Sequence, residues 1–209
     1  MFRTLAPLYS SGWRALVVLL TLEIAYVSAI RYFTGGEAPP QPIVENAFAD
    51  PFLVLHAAGG VTALVLMPLQ FVRRIREGLP IVHRGIGLIC VLACVIGAPA
   101  GLMLAFGTTA GPVAAVGFAI PAWLWAVFTW LGWRAAVAGR FEQHREWMLR
   151  SYAVVSTAIT LRLMLPASGM LGFEFYPAYR VISWASWMTN LVLFEAYIAR
   201  SRAPAPAYA

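Results

Sequence analysis

"HRGIGLICVLACVIGAPAGLMLAF" at residues 83–106 begins with a His-Arg pair and then turns wholly apolar; no Asp, Glu, Lys or Arg occurs between Arg84 and Arg134. A run that crosses about 30 Å of hydrocarbon needs about 20 largely apolar residues. Residues 85–106 meet that requirement, and working outward from them five more runs do so, at about 13–34, 52–72, 112–134, 151–168 and 179–199. The runs do not alternate and are about twice as long as a barrel strand, so they predict helices. With 61% hydrophobic and 11% charged residues, the chain lacks the polar side chains to cover a soluble surface. The expectation is an all-α, polytopic bundle of six transmembrane helices forming a single domain over residues 1–209, with residues 200–209 as a disordered tail.

All 15 basic residues are arginine, which closes retinal Schiff-base and P-loop chemistry. Most of them, among them Arg73, Arg74, Arg76, Arg84, Arg134, Arg140, Arg145, Arg150, Arg200 and Arg202, fall on one side of the six-span arrangement. Arg31 and Arg180 fall at the other face with Glu37, Glu45, Asp50 and Glu174. The positive-inside rule then puts both termini in the cytoplasm. The basic balance reads as topology and contact with anionic lipid at the cytoplasmic face, and implies no nucleic acid. Size and arginine bias suit a bacterial inner membrane. A second copy or a membrane complex subunit is compatible with this reading as a partner.

Two of the three histidines repeat one arrangement: His83-Arg84 and His144-Arg145 each stand just before an apolar run, in two hairpins of the same orientation that form a weak parallel repeat. Topology or lipid phosphate gathered at helix N-termini suffices to explain the pairs. The sharper expectation is that His83 and His144 face each other and ligate one metal centre, a b-type haem, with Arg84 and Arg145 binding its propionates and Gly85 and Gly87 leaving room for a porphyrin. Zinc held by the same histidines with Glu142 or Glu146 has no compact spacing in support.

Charged groups inside hydrocarbon cost about 2.5–3.5 kcal/mol each at the helix centre, so each needs a partner or a task. Rise per residue places Glu23, His56, Arg162 and Asn190 at depths where they can meet in one intramembrane polar pocket toward the periplasmic side. The structural reading is a Glu23–Arg162 ion pair completed by His56 and Asn190. The functional reading is a proton relay or a site for a quinone or another small polar headgroup, with Arg162 on an anionic oxygen and His56 exchanging a proton. Glu195 is expected to neutralise Arg84, Arg145 or Arg150. Cys90 and Cys94 read as small hydrophobes, because a disulfide within one helix is strained. Gly97 with Gly101 and Gly107 with Gly111 have the spacing of close helix packing.

"HAAGGVTALVLMPLQF" from His56, "HRGIG" from His83, "HREWMLRSYAVVSTAITLRLMLP" from His144 and "WASWMTNLVLFEAYI" from Trp184 together resemble an uncharacterised bacterial family of predicted six-helix membrane proteins, over about residues 51–199. The family's recurrent positions match His56, His83, Arg84, His144, Arg145, Trp147, Arg150, Arg162, Asn190 and Glu195. The chain departs from the family at Leu88 and Glu146, where a basic residue is usual. The resemblance implies the six-helix fold and no established activity. No catalytic residue is assigned, and whether the chain is an enzyme stays open. Two functions remain: an intramembrane redox or proton-relay protein binding b-type haem or quinone, and a non-catalytic accessory or scaffold subunit or small-molecule transporter.

Overall fold

The computed structural model describes residues 6–34 and 41–202, and within them the chain is all-helical. The elements are α1 (Ala6–Phe33), α2 (Gln41–Val44), α3 (Ala49–Gln70), α4 (Arg73–Gly78), α5 (Pro80–Phe106), α6 (Pro112–Val137), α7 (Phe141–Val155), α8 (Thr157–Met170) and α9 (Phe175–Arg202). Helices at Ala49–Gln70, Pro80–Phe106 and Pro112–Val137, and the α7–α8 rod Phe141–Met170, are long and apolar enough to cross a membrane. The rods α1 and α9, 28 residues each, pack along them.

Helix ends follow local chemistry. Pro80 and Pro112 open α5 and α6, where the missing N–H is not required. Gly139 (φ 72°) turns α6 back into α7, and Gly172 (φ 81°) turns α8 into α9, in backbone that other residues adopt at a cost. The α7–α8 rod is interrupted at Ser156, whose hydroxyl donates to the Ala153 carbonyl. Its helix begins at Phe141, well before the apolar run expected from residue 151. Residues 200–202 of the expected disordered tail continue α9, and the remainder lies outside the described residues, as do residues 35–40 of the outer loop.

Contacts between helices fix alternating directions. Gly59 of α3 meets Ala93 and Gly97 of α5, and Cys94 of α5 meets Trp125 of α6. Thr129 of α6 shares a hydrogen bond with Ser151 of α7, and Thr160 of α8 donates to Asn190 of α9. At the end that holds the α3 N-terminus, Asn46 donates to Leu104 O and Ala47 N–H to Gly107 O. At the opposite end, Glu146 of α7 pairs with Arg202 of α9.

Small residues line the closest helix contacts, beside large core side chains such as Leu64, Met67, Trp125 and Tyr152, and many other large apolar side chains face outward. Ala63, Ala93, Cys94, Ala98, Gly101, Ala114 and Ser183 are buried, whereas Leu88, Leu92, Val95, Trp123, Trp130 and Val192 are exposed. Lipid is as apolar as leucine, so helices in it associate through close backbone approach instead of by hiding large side chains. Gly59 shows how close: a methyl group there would sit 2.5 Å from Ala93 O and 2.8 Å from Gly97 Cα. Gly97 and Gly101 therefore do pack against a neighbouring helix. Gly107 and Gly111 do not share such a face: the first seats Asn46 and Phe48, and the second (φ 89°) caps α6.

Candidate functional site

His56 stands in the second turn of α3 and turns toward α5. Its Nδ1 is 2.9 Å from the Gly97 carbonyl oxygen, an atom that only accepts, so Nδ1 carries the proton and donates. The neutral ring then keeps an unprotonated Nε2 with a free lone pair. The ring lies over Gly101, where an added methyl group would be 2.7 Å from His56 Nδ1.

The imidazole lines a cavity of about 260 Å³, shared by Tyr32, Trp125, Thr157, Arg162 and Tyr179. Such a volume accommodates a small ring or several waters. Two of its lining residues have unused polar groups: the Trp125 indole N–H and the Thr157 hydroxyl are buried and make no hydrogen bond within the protein. Buried donors are normally satisfied, so their presence beside a cavity points to a ligand or water that completes them. Arg162 spends one bond on its own helix, Nη1 to Ala158 O at 3.1 Å.

The four residues expected in one pocket do not all reach it. His56 and Arg162 do. Glu23 lines a second cavity, between α1 and α8, together with Arg31 and Arg162. The expected Glu23–Arg162 ion pair is not formed: among the described residues no carboxylate lies within 4 Å of Arg162. The rise along α1 and α8 brings the two to the same groove without closing that distance. Asn190 is buried elsewhere, its Nδ2 donating to Ser156 Oγ at 3.2 Å and its Oδ1 accepting from Thr160 at 2.8 Å. It ties α8 to α9.

At the opposite end, His83 and His144 occupy equivalent places, each the fourth residue of its helix and each closing the first turn. His83 N–H donates to Leu79 O and His144 N–H to Arg140 O, so neither offers a free backbone donor to an anion. His144 Nδ1 donates to Gly132 O at 2.8 Å, as His56 Nδ1 does to Gly97 O. His83 Nδ1 is buried and has no hydrogen-bond partner among the described residues. Among the described residues no group of three His, Cys, Asp or Glu side chains comes together to hold a metal ion, so neither Glu142 nor Glu146 completes a zinc site.

The two arginines expected to clamp the propionates differ in surroundings. Arg145 lies over the Tyr197 ring at 5.9 Å and donates to its hydroxyl at 3.4 Å, while Arg84 is exposed with no ion pair among the described residues. Glu195 neutralises Arg150 through both oxygens, at 2.5 and 2.9 Å, and Glu146 lies 3.9 Å from the same guanidinium while also pairing with Arg202. Gly85 faces open space, and Gly87 only the Gln70 side chain. Cys90 and Cys94 are buried free thiols.

Tyr32, Thr157 and Tyr179 escaped the sequence reading. The adjacent hydroxyls Ser156 and Thr157 inside an apolar run were the available signal for Thr157. Nothing distinguishes Tyr32 or Tyr179 from the other aromatic residues until the helices are placed.

A family model described as "Predicted membrane protein (DUF2306)" matches residues 53–198, more than half of the chain. No curated protein and no solved structure matches. The matched region holds His56, Arg162, His83 and His144, and leaves out α1 with Glu23 and Arg31.

Proposed function

We propose that this chain, which belongs to the DUF2306 family of predicted membrane proteins, binds a small amphiphile of the quinone type in the cavity between His56 and Arg162. His56 exchanges a proton with the ligand's polar oxygen there. The observation that carries the reading is the locked imidazole: Nδ1–H is held by Gly97 O, so the lone pair on Nε2 is left for a partner in a cavity that also holds unsatisfied donors. A guanidinium beside it stabilises negative charge on an oxygen that loses a proton. The apolar remainder of the lining suits the body of a lipid-soluble molecule.

In this reading α1 and α9 also cross the membrane, giving six spans with both termini in the cytoplasm of a bacterium and the His56 cavity toward the periplasmic side. The exposed arginines on and around α4 then meet anionic lipid. Reporter fusions at either terminus test the topology. The ligand reading is tested with decylubiquinone added to the protein in nanodiscs. Saturable binding that weakens at least tenfold in His56→Ala and Arg162→Gln is expected; no saturable binding to the wild type refutes it.

The geometry at the other end supports a second reading, b-type haem between His83 and His144. His144 is held as haem ligands are, with its second nitrogen on a carbonyl oxygen. A Soret band that shifts on dithionite reduction and is lost in His144→Ala is the expected signature, and a colourless preparation from haem-replete cells excludes it.

A further inference from the structure

We infer that Arg31 and Arg162 form a recognition site for the carboxylate of a single-chain lipid amphiphile, which enters the His56 cavity from the bilayer through the seam between α1 and α8. Both cavities draw on α1 and α8, and they share Arg162. The second is made by α1 and α8 alone: Leu20, Ile24, Val27, Ile159 and Leu163 supply apolar walls, and Glu23, Arg31 and Arg162 the charge. Leu163 is 52% exposed on the bundle's outer surface, so the seam opens to whatever surrounds the helices. For a chain with this surface, that medium is lipid.

Charge selects the head. Neither guanidinium has a carboxylate within 4 Å among the described residues, and the Arg31 Nε is buried without a hydrogen bond. Glu23 shares the seam, so two cations and one anion leave a single positive charge for a ligand to neutralise. Uncompensated charge in hydrocarbon is costly, and a guanidinium fork matches a carboxylate through two parallel N–H···O bonds. A monoanionic head on one flexible tail fits both the charge and the apolar walls of the seam. The tail stays between α1 and α8 while the head reaches Arg162, at the border of the His56 cavity. The inference rests on that cavity being a ligand site, as proposed above, but not on its ligand being a quinone.

The test is competition in nanodiscs of neutral phosphatidylcholine, with spin-labelled stearate as the probe and oleate, methyl oleate, acetate and phosphatidylglycerol as competitors. The expected result is displacement by oleate, at least tenfold weaker displacement by methyl oleate, and none by acetate at equal concentration. Arg31→Gln and Arg162→Gln each weaken oleate at least tenfold, and Arg162→Lys restores part of it. Folding of each variant is checked by its thermal transition, and Arg200→Gln, exposed at the opposite end of the bundle, serves as a control that leaves binding unchanged. Equal displacement by the methyl ester overturns the charge selection. Displacement by acetate overturns the lipid route, and displacement by phosphatidylglycerol but not oleate overturns the carboxylate. Decylubiquinone binding with no oleate binding removes this inference and leaves the proposed function standing, whereas binding of neither removes both.

Discussion

His56 Nδ1 and the Gly97 carbonyl oxygen, 2.9 Å apart, join α3 to α5, as His144 Nδ1 and Gly132 O, 2.8 Å apart, join α7 to α6. Both histidines spend the same nitrogen on a backbone carbonyl beside a glycine. The missing side chain lets the helices approach until an imidazole reaches across. What distinguishes His56 is its surroundings: its ring borders a cavity whose lining residues include unsatisfied donors.

Glycines that look alike in sequence will respond differently to alanine. At Gly59 the new methyl group meets α5 backbone, which cannot rotate away, so Gly59→Ala is expected to destabilise the bundle by about 1–3 kcal/mol. Gly60 has nothing within 4 Å, and Gly60→Ala should be neutral or slightly stabilising through helix propensity. Thermal unfolding in detergent separates the two, and equal transitions would contradict the helix crossing.

Gly101→Ala places its methyl group against the His56 ring, which must turn. The hydrogen bond to Gly97 is then lost, and amphiphile binding should fall at least tenfold while the thermal transition moves less than in Gly59→Ala. Intact binding would show that the lock on His56 is dispensable.

Arg162→Leu and Glu23→Leu should couple only weakly. They line one groove without an ion pair, so a double-mutant cycle on thermal stability is expected to give a coupling of about 0.5–1 kcal/mol. A coupling several times larger would reinstate the direct pair.

Arg150 and Glu195 should couple. The guanidinium is only 15% exposed and is held by both carboxylate oxygens. Glu195→Gln replaces a charged acceptor with a neutral one and should cost about 1–2 kcal/mol. The cycle Glu195→Gln with Arg150→Met reads the pair directly, and additive effects would assign Arg150 to its stacking on Trp147, 4.8 Å away.

The loop helix α4 should loosen in acid. Hydrogen bonds from Arg73 and then Arg76 hold the Glu77 carboxyl below the usual carboxylate range. A carboxyl whose folded pKa is depressed stabilises the fold above its unfolded pKa, about 4.3, and that contribution fades as the pH falls through the folded value. Amide exchange in Arg73–Gly78 should therefore be slower, after correction for intrinsic rates, at pH 6 than at pH 3, and in Glu77→Gln this difference should vanish.

Residues 85–106 already required a helix in hydrocarbon, and the same count of apolar residues located every long helix, because hydrophobic length is a property of the chain alone. The charges that had to be explained, Glu23, His56, Arg162 and Glu195, were visible for the same reason: hydrocarbon makes each one costly wherever it lies. Their partners were not visible. Depth along a helix is fixed by counting, but direction around it depends on which neighbour packs where, and a turn of the helix separates Glu23 facing Arg162 from Glu23 merely sharing its groove. Asn190, at the expected depth, turned toward Thr160 and Ser156; of the three arginines expected for Glu195, packing selected Arg150; and Trp125, Thr157 and Tyr179 became a cavity wall only once α5, α6, α8 and α9 stood together. Composition decided the medium and the helices, whereas the rotation and close approach of those helices at glycine decided which polar groups were satisfied by the protein and which were left for a ligand.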